Sequence, residues 1–141
     1  MVDLIDENNQ SIGQVSKQQA HEQGLLHRIV LAEVINSKGE WLLVQQAPDR
    51  QEALFRETQE ELGIKHFEYK RVGQKVFNRF VNNHQENHLF ILYEIYSDLE
   101  PTLNHESISF RRFTFPDLIQ ELANQPKYFG DAFHFVMKTF Y

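Results

Sequence analysis

The sequence predicts a single α+β domain, and three observations carry that reading. Segments 29–35, 41–45 and 89–96 are of strand length, rich in Ile, Leu, Val, Phe and Tyr, and bounded by turn-forming residues. Segments 16–22, 51–62, 116–123 and 131–141 instead carry caps or apolar positions at helical spacing. No repeat, low-complexity tract or linker breaks residues 1–141, a length that suits one domain with its own core.

Composition then removes several function classes. Hydrophobic residues make up 41% of the chain, too many for a disordered protein. There is no cysteine, so disulfides, thiolate zinc sites and cysteine nucleophiles are excluded. A net charge of −6 argues against a nucleic acid polymer as partner. It leaves phosphorylated small molecules open, because a bound cation can mediate that contact. Residues 1–10 have neither the basic nor the apolar part of a signal peptide, and no apolar run reaches membrane-spanning length. The expected location is the cytoplasm, with no membrane partner.

In chain order, 2–5 and 11–15 read as an N-terminal β-hairpin over the polar turn 6–10. Residues 16–22 read as a short helix with Ser16 as N-cap. His27-Arg28 leads into the strand 29–35, and the turn 36–39 joins it to the strand 41–45. His27 reads as a structural, hydrogen-bonding histidine at a strand start, since no second histidine stands at ligand spacing along the chain. Residues 65–77 read as a strand pair, 67–70 and 73–77, and 79–88 as a polar loop. His84, Glu86 and His88 in that loop suggest a metal site, but a solvated hairpin loop near a substrate mouth is the favoured reading. Strand 89–96 is the most apolar of the chain and is expected to be central, with Glu94 either facing out or contributing to a site. A loop over 98–106, a strand over 107–114, a helix with Pro116 in its first turn, and a last helix burying Phe133, Val136, Met137 and Phe140 complete the chain.

The stretch 51–64, QEALFRETQEELGI, carries most of the functional information. Its residues up to Leu62 favour or tolerate a helix, and Gly63 is a natural stop. On such a helix Glu57, Glu60 and Glu61 share one face, while Leu54, Thr58 and Leu62 form an opposite stripe able to pack on a sheet. Crowded carboxylates repel one another unless a hard divalent cation such as Mg²⁺ or Mn²⁺ is held between them. Arg56, four residues before Glu60, can orient a carboxylate through a bidentate pair. A solvated acidic helix face is the bland alternative.

The string Arg56-Glu57-Thr58-Gln59-Glu60-Glu61-Leu62-Gly63-Ile64 resembles the second half of the Nudix box, G-x5-E-x7-R-E-U-x-E-E-x-G-U, with Thr58 in the place of the bulky apolar U. The N-terminal hairpin, the His27-Arg28 pair and the segment INSKGEWLLVQQ resemble the isopentenyl-diphosphate isomerase-like branch of Nudix proteins. The likeness is good over 2–64 and loose beyond.

The first half of the box is missing. Counting back from Arg56, its glycine and first glutamate fall at Leu42 and Pro48. Between Arg50 and Gln51 the family pattern has a further strand and two loops, about 15–25 residues. A divergent natural form, an engineered deletion, or a segment omitted from the sequence with numbering continued across the break would each account for this. The last is favoured, because loss of a core strand leaves its neighbours unpaired.

The resemblance implies a Nudix fold, a mixed β-sheet sandwiched between helices (α/β/α). It implies a metal-dependent hydrolase of a nucleoside-diphosphate-linked or similar pyrophosphate compound. Glu57, Glu60 and Glu61 would hold Mg²⁺ or Mn²⁺, and Glu57, Arg56 and Glu60 would be the catalytic set, with Arg56 orienting Glu57. A further carboxylate would serve as base or extra ligand, with Glu86, Glu94 and Glu106 as candidates. The alternatives are a catalytically inactive ligand-binding or interaction domain and, remotely, an isopentenyl-diphosphate isomerase, which uses a cysteine that this chain lacks. A homodimer through the N-terminal hairpin or the aromatic C-terminal tail is compatible with the sequence.

Overall fold

The computed structural model describes residues 1–46, 55–56, 68–81, 83–101, 103 and 107–141. The chain folds into two compact units, Met1–Val30 with Gly73–Leu92, and Leu31–Val72 with Tyr93–Tyr141. Each is taken by itself.

The first unit opens with strands β1 (Val2–Ile5) and β2 (Ser11–Val15), paired antiparallel as the sequence predicts. Asp6 closes the turn by accepting from the backbone N–H groups of Asn8 and Gln10, and Asn9 takes the left-handed conformation that asparagine tolerates. Helix α1 (Lys17–Glu22) follows, and the Ser16 side chain accepts from the Gln19 N–H as an N-cap. Strand β3 (His27–Ile35) starts two residues earlier than expected, and His27 pairs with Leu4 of β1. Arg28 ties the hairpin down, donating to Asp3 Oδ2 at 3.2 Å and to the Asn9 side chain and carbonyl.

The corner between α1 and β3 depends on Gly24. It has φ +61°, and a Cβ there would lie 2.9 Å from the Gln85 carbonyl oxygen. That distance and that dihedral both call for glycine. The Gly24 carbonyl in turn accepts from the Asn87 side chain.

Strands β6 (Glu68–Val81) and β7 (His84–Tyr96) pair with each other, and β7 also pairs with β3. Two expectations are corrected here. The expected pair of strands over 67–77 is, from Glu68 on, a single strand, because β6 runs on through Gly73 without a turn. Residues 79–88 are not a polar loop either: β6 continues to Val81, Asn83 turns with φ 63°, and β7 begins at His84. Glycine reads as punctuation, but a strand paired along its length accommodates it at a small cost in propensity. The polar residues of β7 alternate, and Glu86, His88 and Phe90 are its buried positions up to that point along with Leu89.

In the second unit β4 (Trp41–Gln46) pairs antiparallel with β3 on one side, at Val34↔Leu42 and Ile35↔Trp41. It also pairs antiparallel with β8 (Ser107–Phe113), from Trp41↔Phe113 to Gln46↔Ser107. A two-residue strand, β5 (Phe55–Arg56), adds to β4 at Val44↔Arg56 and Gln45↔Phe55. This corrects the expected helix over 51–62 at the two positions the structure describes there. Beside β4 these two residues meet its hydrogen-bonding groups, and a phenylalanine suits a strand. The rest of that segment, with Glu57, Glu60, Glu61 and the Arg50–Gln51 junction, lies outside the described residues.

Helix α2 (Phe115–Asn124) begins at Thr114, whose hydroxyl accepts from the Asp117 N–H, and has a proline in its first turn as expected. A short 3-10 turn (Pro126–Tyr128) leads to α3 (Asp131–Phe140), which buries Phe133, Val136 and Met137. With Trp41, Leu43, Phe113, Leu118 and Phe129, two of these α3 residues, Phe133 and Met137, form the main core. Truncating a phenylalanine so enclosed costs about 3–5 kcal/mol. A second cluster joins Ala32, Val34, Leu42 and Ile95. Among the described residues no helix is long and apolar enough to cross a membrane.

Candidate metal centre

Three histidines distant in sequence meet in the first unit. His21 comes from the end of α1, His27 from the start of β3 across the Gly24 corner, and His88 from β7. Each offers one ring nitrogen to a set whose members all lie within 4.8 Å of one another. The ring centroids of His27 and His88 are 4.7 Å apart, and His21 lies 5.2 Å from each. His27 is fully buried and His88 is 5% exposed. The expectation that His27 has no histidine at ligand spacing is therefore corrected. The spacing is met in space rather than along the chain.

Hydrogen bonding fixes the state of two of the rings. His27 Nδ1 lies 2.8 Å from the Leu25 carbonyl oxygen, which can only accept, so the proton sits on Nδ1. Its Nε2 then presents a lone pair, buried and without a hydrogen-bond partner. His88 Nδ1 lies 3.3 Å from the Phe77 carbonyl, which places its lone pair on Nε2 in the same way. His21 Nε2 lies 3.2 Å from that atom. A second ring nitrogen anchored to a backbone carbonyl is the usual support of a metal-binding histidine.

Burial disfavours the protonated form of His88 and of His21. Burial first, then the neighbouring His27 and His21, together lower the pKa of His88 to about 4, with Glu86 opposing. His21 is also lowered, first by burial, with Glu86 opposing. Neutral imidazole is the form that binds a metal. Glu86, 7% exposed, borders the set: Oε2 is 3.7 Å from His21 Nδ1 and Oε1 is 3.9 Å from His88 Nε2. Arg79 Nε donates to Glu86 Oε1 at 2.8 Å.

This donor set suits an ion that accepts nitrogen, such as Zn²⁺, Ni²⁺ or Co²⁺, better than Mg²⁺, which prefers oxygen. The orphaned, buried His27 Nε2 is the observation that fits it to a metal. From the sequence, His88 and Glu86 read as loop residues and His27 stands by itself. The alternation Glu86-x-His88-x-Phe90, which marks one face of a strand, is the signal that places them together.

The other predicted site residues are placed as follows. Arg56 has its backbone in β5, and Glu57, Glu60, Glu61 and Glu106 lie outside the described residues. Glu94, in the second unit, accepts from Tyr96 Oη at 2.6 Å and from Tyr141 Oη at 2.5 Å. His84 is exposed at the start of β7.

No family model matches the chain. Among solved structures, the DR0079 protein of Deinococcus radiodurans superposes with a TM-score of 0.67 at 17% identity, covering 99% of each chain. A MutT protein of Methanosarcina mazei gives 0.57 at 18% identity, over 82% of this chain and 92% of the other. The Nudix hydrolase RenU of M. smegmatis gives 0.51 at 12% identity, over 96% of this chain and 89% of the other. The chain has the Nudix hydrolase fold. As in the sequence reading, this is an α+β fold, and the strand pairs with a described register are antiparallel. Beside the Nudix likeness stands one curated relative, an isopentenyl-diphosphate Delta-isomerase of Pectobacterium atrosepticum, 40% identical over 47 residues. That match covers 33% of this chain and 26% of the relative's length.

Proposed function

We propose that the chain is a divalent-metal-dependent pyrophosphohydrolase of the cytoplasm. It acts as a single domain on a nucleoside-diphosphate-linked or similar small molecule. The observation that carries this reading is the string Arg56-Glu57-Thr58-Gln59-Glu60-Glu61-Leu62-Gly63-Ile64 in a chain of Nudix fold. Glu57, Glu60 and Glu61 would hold Mg²⁺ or Mn²⁺, with Glu57 and Glu60 also in the catalytic set, and Arg56 would orient Glu57 by charge-assisted hydrogen bonds. The bound cation supplies charge neutralisation of the diphosphate and a more acidic water. The histidine centre supplies a second, nitrogen-rich place for a transition metal.

The test is phosphate or nucleotide release across a panel of diphosphate compounds with and without Mg²⁺. Release that depends on Mg²⁺ supports the hydrolase. A flat result across the panel, with one of the same compounds binding in calorimetry, moves the assignment to a ligand-binding or interaction domain. The incomplete box, with Leu42 and Pro48 where a glycine and a glutamate belong, is what keeps that second reading in view. An isomerase remains the remote alternative: the resemblance to that branch implies cysteine chemistry, and the chain has no cysteine.

A further inference from the structure

The three histidines described above do not stand alone, and their surroundings contain an opposing charge. Glu86 is the one anion bordering the set among the groups described there, and its carboxylate is already engaged. Arg79 Nε donates to Oε1 at 2.8 Å, the same oxygen that lies 3.9 Å from His88 Nε2. The pair sits at the rim of the centre, with the Glu86 side chain 10% exposed and that of Arg79 38% exposed. The resting arrangement thus satisfies Glu86 with a protein cation. The lone pair of His27 meanwhile remains without a partner.

We infer that Arg79 governs the metal affinity of the histidine centre by competing with a bound cation for Glu86. The physical argument is electrostatic. The histidines bind an ion through nitrogen lone pairs, so the charge-based part of the site's attraction for a divalent ion rests on Glu86. A fixed guanidinium on that carboxylate offsets its charge and adds like-charge repulsion at short range. A metal ion placed among these rings meets the field of the Arg79 guanidinium, whose Nε lies 2.8 Å from Glu86 Oε1. Arg79 therefore holds the affinity down while the pair is closed, and Glu86 is available to the ion only at the expense of that pair. Arg79 acts on the centre through Glu86; it is a positioning residue.

This inference rests on the metal reading of the histidine centre, and one titration separates the two. Co²⁺ is added to the full chain and its visible d–d absorption gives the affinity and the coordination. Wild type is expected to show the spectrum of nitrogen-bound Co²⁺. Arg79→Gln, which removes the charge but keeps a donor, is expected to bind about tenfold tighter, and Glu86→Gln about tenfold or more weaker. Arg79→Lys keeps the charge and is expected to stay near wild type. A role for Arg79 that is merely structural predicts the opposite sign, weaker binding in Arg79→Gln, and that result overturns the inference. Unchanged binding in Arg79→Gln, or equal tightening in Arg79→Lys, overturns it as well. Failure of wild type to bind Co²⁺ at all overturns the metal reading, and the inference with it.

Discussion

His27 Nε2 points its lone pair into a buried space shared with His88 Nε2, while each ring donates its other nitrogen to a backbone carbonyl, Leu25 and Phe77 respectively. Leaving a buried acceptor unpaired costs about 1–3 kcal/mol, a penalty that a cation bound among these rings would relieve.

The first prediction follows from that penalty. Zn²⁺ in hundredfold excess over its dissociation constant should stabilise the wild-type chain by about 2.7 kcal/mol, seen as a rise in melting temperature. His27→Ala should abolish the rise. An equal rise in wild type and variant would place the ion elsewhere.

A second prediction concerns the acidic string. Glu61→Gln should remove most of the Mg²⁺-dependent turnover on the diphosphate panel while leaving the melting temperature unchanged, as expected when a metal ligand is neutralised at nearly constant volume. Full activity in this variant would sink the assignment of the metal to Glu57, Glu60 and Glu61.

The Gly24 corner sets the distance between His21 and His27. Gly24→Ala meets both the positive φ and the 2.9 Å approach of the Gln85 oxygen. It should lower stability by about 1–3 kcal/mol, measured from urea midpoints, and weaken Zn²⁺ binding in the same variant. Unaltered stability would mean that the corner relaxes freely.

Glu94 gives a prediction in pH. Its hydrogen bond raises the Tyr96 pKa from 10.0 to about 12, and Tyr141 is raised too, first by burial and then by Glu94. A raised pKa means that the folded state holds its proton longer than the unfolded state. The contribution of Tyr96 to stability is therefore complete below pH 10 and lost as pH rises towards about 12. Two of the five tyrosines should ionise late in an absorbance titration of the folded chain. Glu94→Gln should bring Tyr96 back towards its ordinary value, and a titration unchanged by that substitution would contradict the hydrogen-bond assignment.

Much of the fold was legible along the chain because local chemistry decides it. Ser16 and Thr114 cap helices wherever they precede a helical pattern. The turn 6–10 closes on its own aspartate, and Phe133, Val136 and Met137 recur at the spacing of one helix face. Local signals misled where tertiary pairing wins over propensity. Gly73 and the polar run 79–88 look like breaks, yet one long hairpin absorbs both. Phe55 and Arg56 look helical, yet the open edge of β4 offers them hydrogen bonds.

The sequence by itself determined that the chain is cysteine-free, acidic and α+β, and that it carries Glu57, Glu60 and Glu61 in a string resembling the second half of a Nudix box. Only the tertiary structure decided that His21, His27 and His88 form one centre bordered by Glu86 and Arg79. The reason is physical. A histidine's role is set by what its second nitrogen donates to and by which groups surround the first, and these partners come from a helix, a strand start and a hairpin far apart in the chain. No local pattern records them; the strand pairing and the glycine corner bring them together.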